Sequence, residues 1–220
     1  MIRQLRIDVF FDFICPWCLI GKRQLQAAIT QLRDSDPDVE VLLHWRGVQL
    51  LPHLPLDGVP FKAFYLERLG SESAVLMRQA QVRKAAHAVG LDIDFDRILR
   101  MPNTAKAHRL FENALKIGTH EQCEMLLECL FSAYFHHSEN IGETSVLINI
   151  LNTCGFSEAI QKGYLNPEES HQHPFISANT GGNGVPYFVF DDRFALAGAH
   201  PAETLYRAML ESLSSQGVVK

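Results

Sequence analysis

The chain has 220 residues, 47 % of them hydrophobic, which is enough apolar side chain for a sizeable core and excludes a disordered protein. Its formal net charge of −5 at pH 7, with both signs mixed along the chain, argues against a nucleic-acid or membrane partner. The N-terminus shows no secretory signal pattern and no long apolar span follows, so we expect a cytoplasmic protein.

The first predicted elements are a buried strand over residues 6–11 and a helix over residues 19–29. The segment Cys15-Pro16-Trp17-Cys18 lies between them, so a Cys-x-x-Cys pair occupies a strand-to-helix turn. At such a turn the free backbone N–H groups and the positive dipole end of the helix stabilise an anion. For a cysteine, that anion is a thiolate.

This placement predicts a redox-active pair. Cys15 falls near the N-cap and is the expected nucleophile with a lowered pKa, and Cys18, one turn further in, is the expected resolving thiol. Pro16 suits the first helical position, where its missing N–H needs no partner. Pro16 and Trp17, between the thiols, are expected to tune the reduction potential. In a reducing cytosol such a disulfide is usually transient and catalytic.

A structural zinc site is the alternative for the Cys-x-x-Cys pair, but it needs two more ligands at comparable spacing. Cys123, Cys129 and Cys154 are not paired at that spacing, and the nearest ligand-like cluster is His171 with His173. We therefore predict no metal. Cys123 and Cys129 are six residues apart on a predicted helix and face different directions, and with Cys154 we expect them to be small buried hydrophobes.

The following elements complete an α/β pattern. A second strand over 39–46 follows the first helix, which implies a right-handed βαβ unit with parallel strands. Residues 51–58 break regular structure, and from 61 to about 162 almost every segment is typical of amphipathic helix. Helix starts are indicated at Asn103-Thr104 and at Asn166-Pro167.

The C-terminal part is predicted to return to strands. Gly181-Gly182-Asn183-Gly184 ends the helical region, and a third strand begins at Val185-Pro186. Asp191-Asp192-Arg193 indicates a hairpin turn into a fourth strand over 194–198, and a closing helix follows from about Pro201 to Leu213.

This order resembles the thioredoxin fold with an all-helical domain inserted between the second and third strands. The predicted organisation is residues 1–58 and 181–220 for the thioredoxin-like domain, and residues 59–180 for the inserted helical domain.

Motifs spread over the whole chain make the resemblance specific. They are Asp12 three residues before the Cys-Pro-Trp-Cys segment, Gly21-Lys22, Asn103-Thr104, Ala107-His108-Arg109, Leu130-Phe131-Ser132-Ala133-Tyr134-Phe135, Ile141-Gly142, Gly184-Val185-Pro186 and Gly198-Ala199-His200-Pro201. The chain resembles the DsbA-like branch of thioredoxin proteins, in particular its cytosolic FrnE-like members. That branch is related to 2-hydroxychromene-2-carboxylate isomerase and kappa-class glutathione transferase.

The resemblance implies a thiol:disulfide oxidoreductase acting on protein or small-molecule thiols. It implies no bound cofactor beyond the redox-active disulfide itself, and it leaves glutathione open as a co-substrate. The expected roles are catalysis for Cys15 and Cys18, tuning of the thiols for Pro16, Trp17 and Asp12, and substrate binding for Val185, Pro186, Asn103 and His108. In this family the loop at Val185-Pro186 faces the sulfurs and contains a cis proline.

Two other functions stay open. A glutathione-dependent isomerase or kappa-type transferase usually has serine in place of the first cysteine and a Gly-Ser-Asp motif before the last helix. This sequence has Cys15 and Gly198-Ala199-His200, and both departures favour redox chemistry. A non-catalytic chaperone that binds partners around Trp17 is the third hypothesis.

Overall fold

The computed structural model describes residues 3–161 and 183–216. In chain order the elements are β1 (Arg3–Phe11), α1 (Pro16–Ser35), β2 (Val39–Gly47), β3 (Val59–Pro60), α2 (Phe61–Leu69), α3 (Glu72–His87), β4 (Arg100–Met101), α4 (Ala105–Ile117), α5 (His120–Phe135), α6 (Thr144–Thr153), α7 (Ser157–Gln161), β5 (Tyr187–Phe190), β6 (Phe194–Ala197) and α8 (Ala202–Gln216). The chain divides into two compact units, and their described parts are residues 3–48 with 183–216, and residues 49–161.

The first unit is built on a four-stranded mixed sheet in the order β2-β1-β5-β6. β1 is central and pairs in parallel with β2 from Arg3–Val39 to Phe11–Gly47, as the predicted βαβ unit requires. β5 pairs antiparallel with β1 on its other side, and β6 pairs antiparallel with β5. The predicted thioredoxin fold with a helical segment inserted between strands is confirmed.

Apolar side chains on β1 account for its central position. Leu5, Ile7, Val9 and Phe11 are all buried, so other elements must pack against the face of the sheet on which these side chains lie. Phe11 packs edge-on against Trp45 of β2 at a ring-centroid distance of 5.6 Å, which makes Trp45 a core residue. The helices α1 and α8 pack against each other and against the strands.

The second unit is helical, with α2–α7 in its described part. It also contains a two-residue antiparallel ladder between β3 and β4, in which Val59 pairs with Met101. The sequence analysis missed this ladder because two residues are too few to show a strand periodicity. The predicted helix start at Asn103-Thr104 is where α4 begins. The predicted start at Asn166-Pro167 and the residues Gly181 and Gly182 lie outside the described residues.

The N-terminal part of the first unit runs to Val48, and the second unit begins at Gln49. The predicted domain boundaries at residues 58 and 180 stay predictions. A buried amide network lies at the start of the second unit. The Gln49 side chain donates to Asn103 Oδ1 at 2.7 Å, and Asn103 Nδ2 donates to the Leu54 carbonyl at 2.7 Å. These bonds hold residues 49–54 against the start of α4.

No helix in the described ranges is long and apolar enough to cross a membrane. The cytoplasmic location stays a prediction from the sequence.

The predicted hairpin turn joins β5 and β6 through Asp191-Asp192-Arg193. Asp191 and Asp192 both have positive φ angles, 48° and 57°, which is costly for a residue with a Cβ. Asp191 is stabilised there by its side chain, which accepts hydrogen bonds from the Arg6 backbone N–H, from Ser212 Oγ and from Gln216 Nε2. Its carboxylate therefore ties the turn to β1 and α8.

We expect Asp191→Ala to lower the free energy of unfolding by about 2–3 kcal/mol, because three donors lose a charged acceptor. Asp192→Gly is the matched control. Asp192 makes only an exposed ion pair with Arg6 at 3.0 Å in the described chain, and glycine accepts a positive φ, so a change within about 0.5 kcal/mol is expected. Urea unfolding monitored by circular dichroism measures both. Equal losses would contradict the role given to the Asp191 carboxylate.

Candidate active site

The segment Cys15-Pro16-Trp17-Cys18 lies at the junction of β1 and α1, as predicted. The turn is closed by the backbone N–H of Cys15, which donates to the Asp12 carbonyl at 3.1 Å. Cys15 is the N-cap residue, with extended backbone angles, and Pro16 is the first residue of the helix. The Cys15 carbonyl accepts from the Cys18 N–H at 3.0 Å. The dipole end of α1 therefore starts at the nucleophile position.

The Cys15 side chain does not cap the helix. Its thiol instead lies 3.6 Å from the Val185 carbonyl oxygen, which accepts the S–H hydrogen bond. Both thiols are buried, Cys15 at 7 % and Cys18 at 3 % exposure, while Pro16 and Trp17 are half-buried. Pro16 and Trp17 are thus the parts of the motif most open to solvent.

The environment distinguishes the two thiols electrostatically. The pKa of Cys18 is raised well above its ordinary value, first by burial, then by its hydrogen bond to Cys15 and by negative charge on Cys15. The buried Asp12 carboxylate raises this pKa further, whereas a hydrogen bond with the Asp12 backbone lowers it. Cys18 therefore stays protonated and serves as a hydrogen-bond partner of Cys15.

The loop before β5 completes the site within the first unit. The Val185–Pro186 peptide bond is cis. The Pro186 carbonyl accepts from the Gly198 N–H at 2.8 Å, which fixes the loop to the end of β6. The loop reaches α1 at Gly21, where an added Cβ would lie 3.0 Å from Pro186 Cγ and 3.2 Å from Phe188 Cζ. A Cβ at this position would be in tighter contact than almost all Cβ atoms, so glycine favours this close approach of helix and loop.

The structure shows two residues in contact with the Val185-Pro186 loop that were not predicted as site residues, Gly198 and Gly21. Gly198 was noted only as part of a motif, and Gly21 only as a residue following the Cys-Pro-Trp-Cys segment. The signal for Gly21 is present in the sequence, because a glycine inside a helical pattern lowers helix stability and so suggests a packing reason. Its partner Pro186 is distant in the chain and could not be identified from spacing.

The predicted substrate-binding residues Asn103 and His108 belong to the second unit. Asn103 is buried, and its side-chain amide is already hydrogen-bonded to three groups. It accepts from the Gln49 side chain and from the backbone N–H of Ala105, and it donates to the Leu54 carbonyl. Its observed contacts therefore support the fold of its own unit. His108 lies on α4 with an exposure of 1 %. Contact of either side chain with a substrate stays a prediction.

Within residues 3–161 and 183–216, no group of three or more His, Cys, Asp or Glu side chains could hold a metal ion. The pair His171 and His173 lies outside the described residues.

Comparison with known proteins agrees with this architecture. A model of the DSBA-like thioredoxin domain matches residues 6–210. The chain is 24 % identical over 195 residues to the uncharacterized protein YwbO of Bacillus subtilis, a match that covers 86 % of this chain and 88 % of that protein.

Two solved structures illustrate the shared fold. A probable DsbA oxidoreductase from Streptomyces coelicolor has a TM-score of 0.82 at 24 % identity, covering 98 % of this chain and 93 % of the other. The cytosolic disulfide reductase DsbM from Pseudomonas aeruginosa, solved with glutathione, has a TM-score of 0.54 at 16 % identity, covering 96 % and 97 %.

The close contact at Gly21 is tested by Gly21→Val, which we expect to lower the free energy of unfolding by about 2 kcal/mol through overpacking against Pro186 and Phe188. Ala27→Val on the exposed side of the same helix is the control. Ala27→Val introduces the same β-branched side chain at an exposed position, away from Pro186 and Phe188. We therefore expect the free energy of unfolding to fall by only about 0.5 kcal/mol. Chemical denaturation of both variants gives the comparison, and similar losses would show that the helix and loop can separate at little cost.

The electrostatic link between the thiols is tested by Cys15→Ala. The substitution removes the charge and the hydrogen bond that raise the pKa of Cys18, so this pKa falls but stays above its ordinary value, because burial remains. The alkylation rate of Cys18, followed by mass spectrometry across pH, should therefore rise at a lower pH in the variant than in the parent protein. An unchanged profile would mean that the two sulfurs do not interact.

Proposed function

The chain belongs to the DSBA-like thioredoxin domain family, and we propose that it is a thiol:disulfide oxidoreductase in which Cys15 attacks and Cys18 resolves. The observation that carries the proposal is the asymmetry of the two buried thiols. The pKa of Cys18 is raised by burial and by Cys15, while Cys15 occupies the helix N-cap beside a carbonyl on the neighbouring loop.

In the reductive direction, the Cys15 thiolate attacks one sulfur of a substrate disulfide. A bond forms between Cys15 Sγ and that sulfur, the substrate S–S bond breaks, and the other sulfur leaves with the electron pair and takes a proton from solvent. The positive end of the α1 dipole stabilises the attacking thiolate. The product of this step is a mixed disulfide on Cys15.

The same step activates Cys18. Formation of the mixed disulfide removes the negative charge on Cys15, and with it one of the causes that raise the pKa of Cys18. Asp12 is fully buried and close enough for its charge to affect Cys18, so its carboxylate is the proposed acceptor of the Cys18 proton. Cys18 then attacks Cys15 Sγ and releases the second substrate thiol. The substrate gains two electrons and the dithiol becomes a disulfide.

The substrate is proposed to bind along the Val185-Pro186 loop. The Val185 carbonyl, which accepts from the Cys15 thiol, is a backbone group available to an extended peptide once that thiol has reacted. Half-buried Trp17, between the two cysteines, offers apolar surface to a substrate. Protein thiols and glutathione both supply an extended backbone next to a sulfur, and glutathione is the proposed small-molecule co-substrate. No tightly bound cofactor is required by this chemistry.

We expect a reversible two-electron transition at Cys15 and Cys18 in glutathione redox buffers, at a potential between about −270 and −120 mV, the range of dithiol oxidoreductases. Thiols are quantified by alkylation and mass spectrometry. If both cysteines stay reduced throughout, the oxidoreductase proposal is wrong.

The roles of the two cysteines are separated by Cys18→Ser and Cys15→Ser in oxidised glutathione. Cys18→Ser should accumulate a glutathione mixed disulfide on Cys15, because the resolving thiol is gone, whereas Cys15→Ser should accumulate none on Cys18. Disulfide reduction should be lost in both. A glutathione-dependent activity that survives in Cys18→Ser would instead favour the isomerase or transferase alternative, and binding of unfolded protein that survives in Cys15→Ser would favour the chaperone.

A further inference from the structure

The two edges of the four-stranded sheet differ in length. The outer strands are β2 and β6, and β6 has only four residues, Phe194–Ala197. Strand β2 has nine residues, Val39–Gly47, and pairs with β1 without interruption, so no bulge twists its outer side away. No described strand pairs with that outer side. β2 is therefore the longer of the two sheet edges.

The sequence of β2 lacks the usual protection against pairing with another chain. Such protection comes from a very short strand, a proline, a lysine or a bulge. The segment VEVLLHWRG contains neither proline nor lysine. Glu40, His44 and Arg46 are exposed, which shows that solvent reaches this strand. Its two charges have opposite signs and lie three residues on either side of Leu43, so they are arranged symmetrically about the centre of the strand.

Two backbone hydrogen bonds show which peptide groups of β2 point outwards. The Asp38 carbonyl accepts from the Arg3 N–H at 3.2 Å, and the Val48 N–H donates to the Phe11 carbonyl at 2.8 Å. The even-numbered residues of β2 therefore direct their backbone groups to β1. Because these directions alternate along a strand, the N–H and carbonyl of the central residue, Leu43, point away from β1.

The apolar side chains of β2 on the core face are less enclosed than those of β1. Leu5 and Ile7 are fully buried, whereas Val41 and Leu43, which pair with them in the ladder, are only half-buried. A further strand beside β2 would place side chains of its own against Val41 and Leu43 and remove apolar surface from water.

We propose that β2 pairs antiparallel with β2 of a second copy of this chain, around a two-fold axis at Leu43. In this register all nine residues of the strand are paired. Leu43 lies opposite the partner's Leu43, and their outward N–H and carbonyl groups bond to each other. Each copy presents the same surface to the other, and the two sheets form one continuous sheet of eight strands.

Charge complementarity favours this occupant and this register. Residues at equal distances from Leu43 face each other, so Glu40 lies opposite the partner's Arg46, and the pair occurs twice. Opposite charges directly across an antiparallel pair are stabilising, and like charges are destabilising. Arg46 donates Nε to Asp8 at 2.8 Å, which uses one of its five N–H donors. Glu40 accepts from the Gln4 amide at 2.8 Å in an exposed bond, and its carboxylate can accept further donors.

The first experiment is sedimentation of the full chain over micromolar to submillimolar concentrations. The chain should sediment as a monomer and dimer in concentration-dependent equilibrium. Leu43→Lys places two like charges where the copies meet and should abolish the dimer while circular dichroism stays unchanged. Leu99→Lys, at an exposed leucine of the second unit, is the control and should leave the dimer intact.

The charge pair is tested by Glu40→Arg against Glu40→Gln. Glu40→Arg puts like charges opposite each other twice and should raise the dissociation constant of the dimer by about tenfold, more than Glu40→Gln does. Equal effects of the two variants would show that Glu40 does not face the partner's Arg46 and would overturn the register.

Cross-linking tests the register directly and does not depend on whether Leu43→Lys folds. In a background carrying Cys15→Ser and Cys18→Ser, which removes the proposed redox chemistry, Leu43→Cys should form an intermolecular disulfide at residue 43 on mild oxidation. Paired Cα atoms about 5.5 Å apart are within disulfide range. Val41→Cys is the control, since its two copies would be roughly 14 Å apart along the strands and should not link.

The peptides are identified by mass spectrometry after digestion. The proposal is overturned if the chain sediments as a monomer at every concentration, if a folded Leu43→Lys variant remains dimeric, or if Val41→Cys links to itself as readily as Leu43→Cys.

Discussion

The hydrogen bond between two buried thiols at the first turn of α1 is the interaction on which the site depends. Only one of two adjacent buried sulfurs can carry charge at neutral pH without a large electrostatic penalty. The protein resolves this by placing Cys15 at the helix N-cap and Cys18 at 3 % exposure beside Asp12. Cys15 is then the proposed nucleophile and Cys18 the proposed resolving thiol.

Backbone packing keeps the loop at Val185-Pro186 beside these sulfurs. Gly21 lets Pro186 approach α1 to a distance at which a side chain would be in tight contact, and Gly198 holds the other side of the loop through its N–H. The Asp191 turn ties the same pair of strands to β1 and α8. The site is therefore held by the sheet and by α1 together, so small changes in the packing of α1 are expected to alter the contact between Cys15 and Val185.

The sequence by itself determined the fold class, the strand-to-helix position of Cys15 and Cys18, and the hairpin at Asp191, because these depend on local periodicity, capping and turn chemistry. It also indicated the family through motifs distributed along the chain. Tertiary structure decided which distant groups meet: Val185 with Cys15, and Pro186 with Gly21. It also gave the Asn103 amide its partners in the second unit. These contacts depend on how helices and loops pack, and that packing cannot be predicted from residue spacing along the chain.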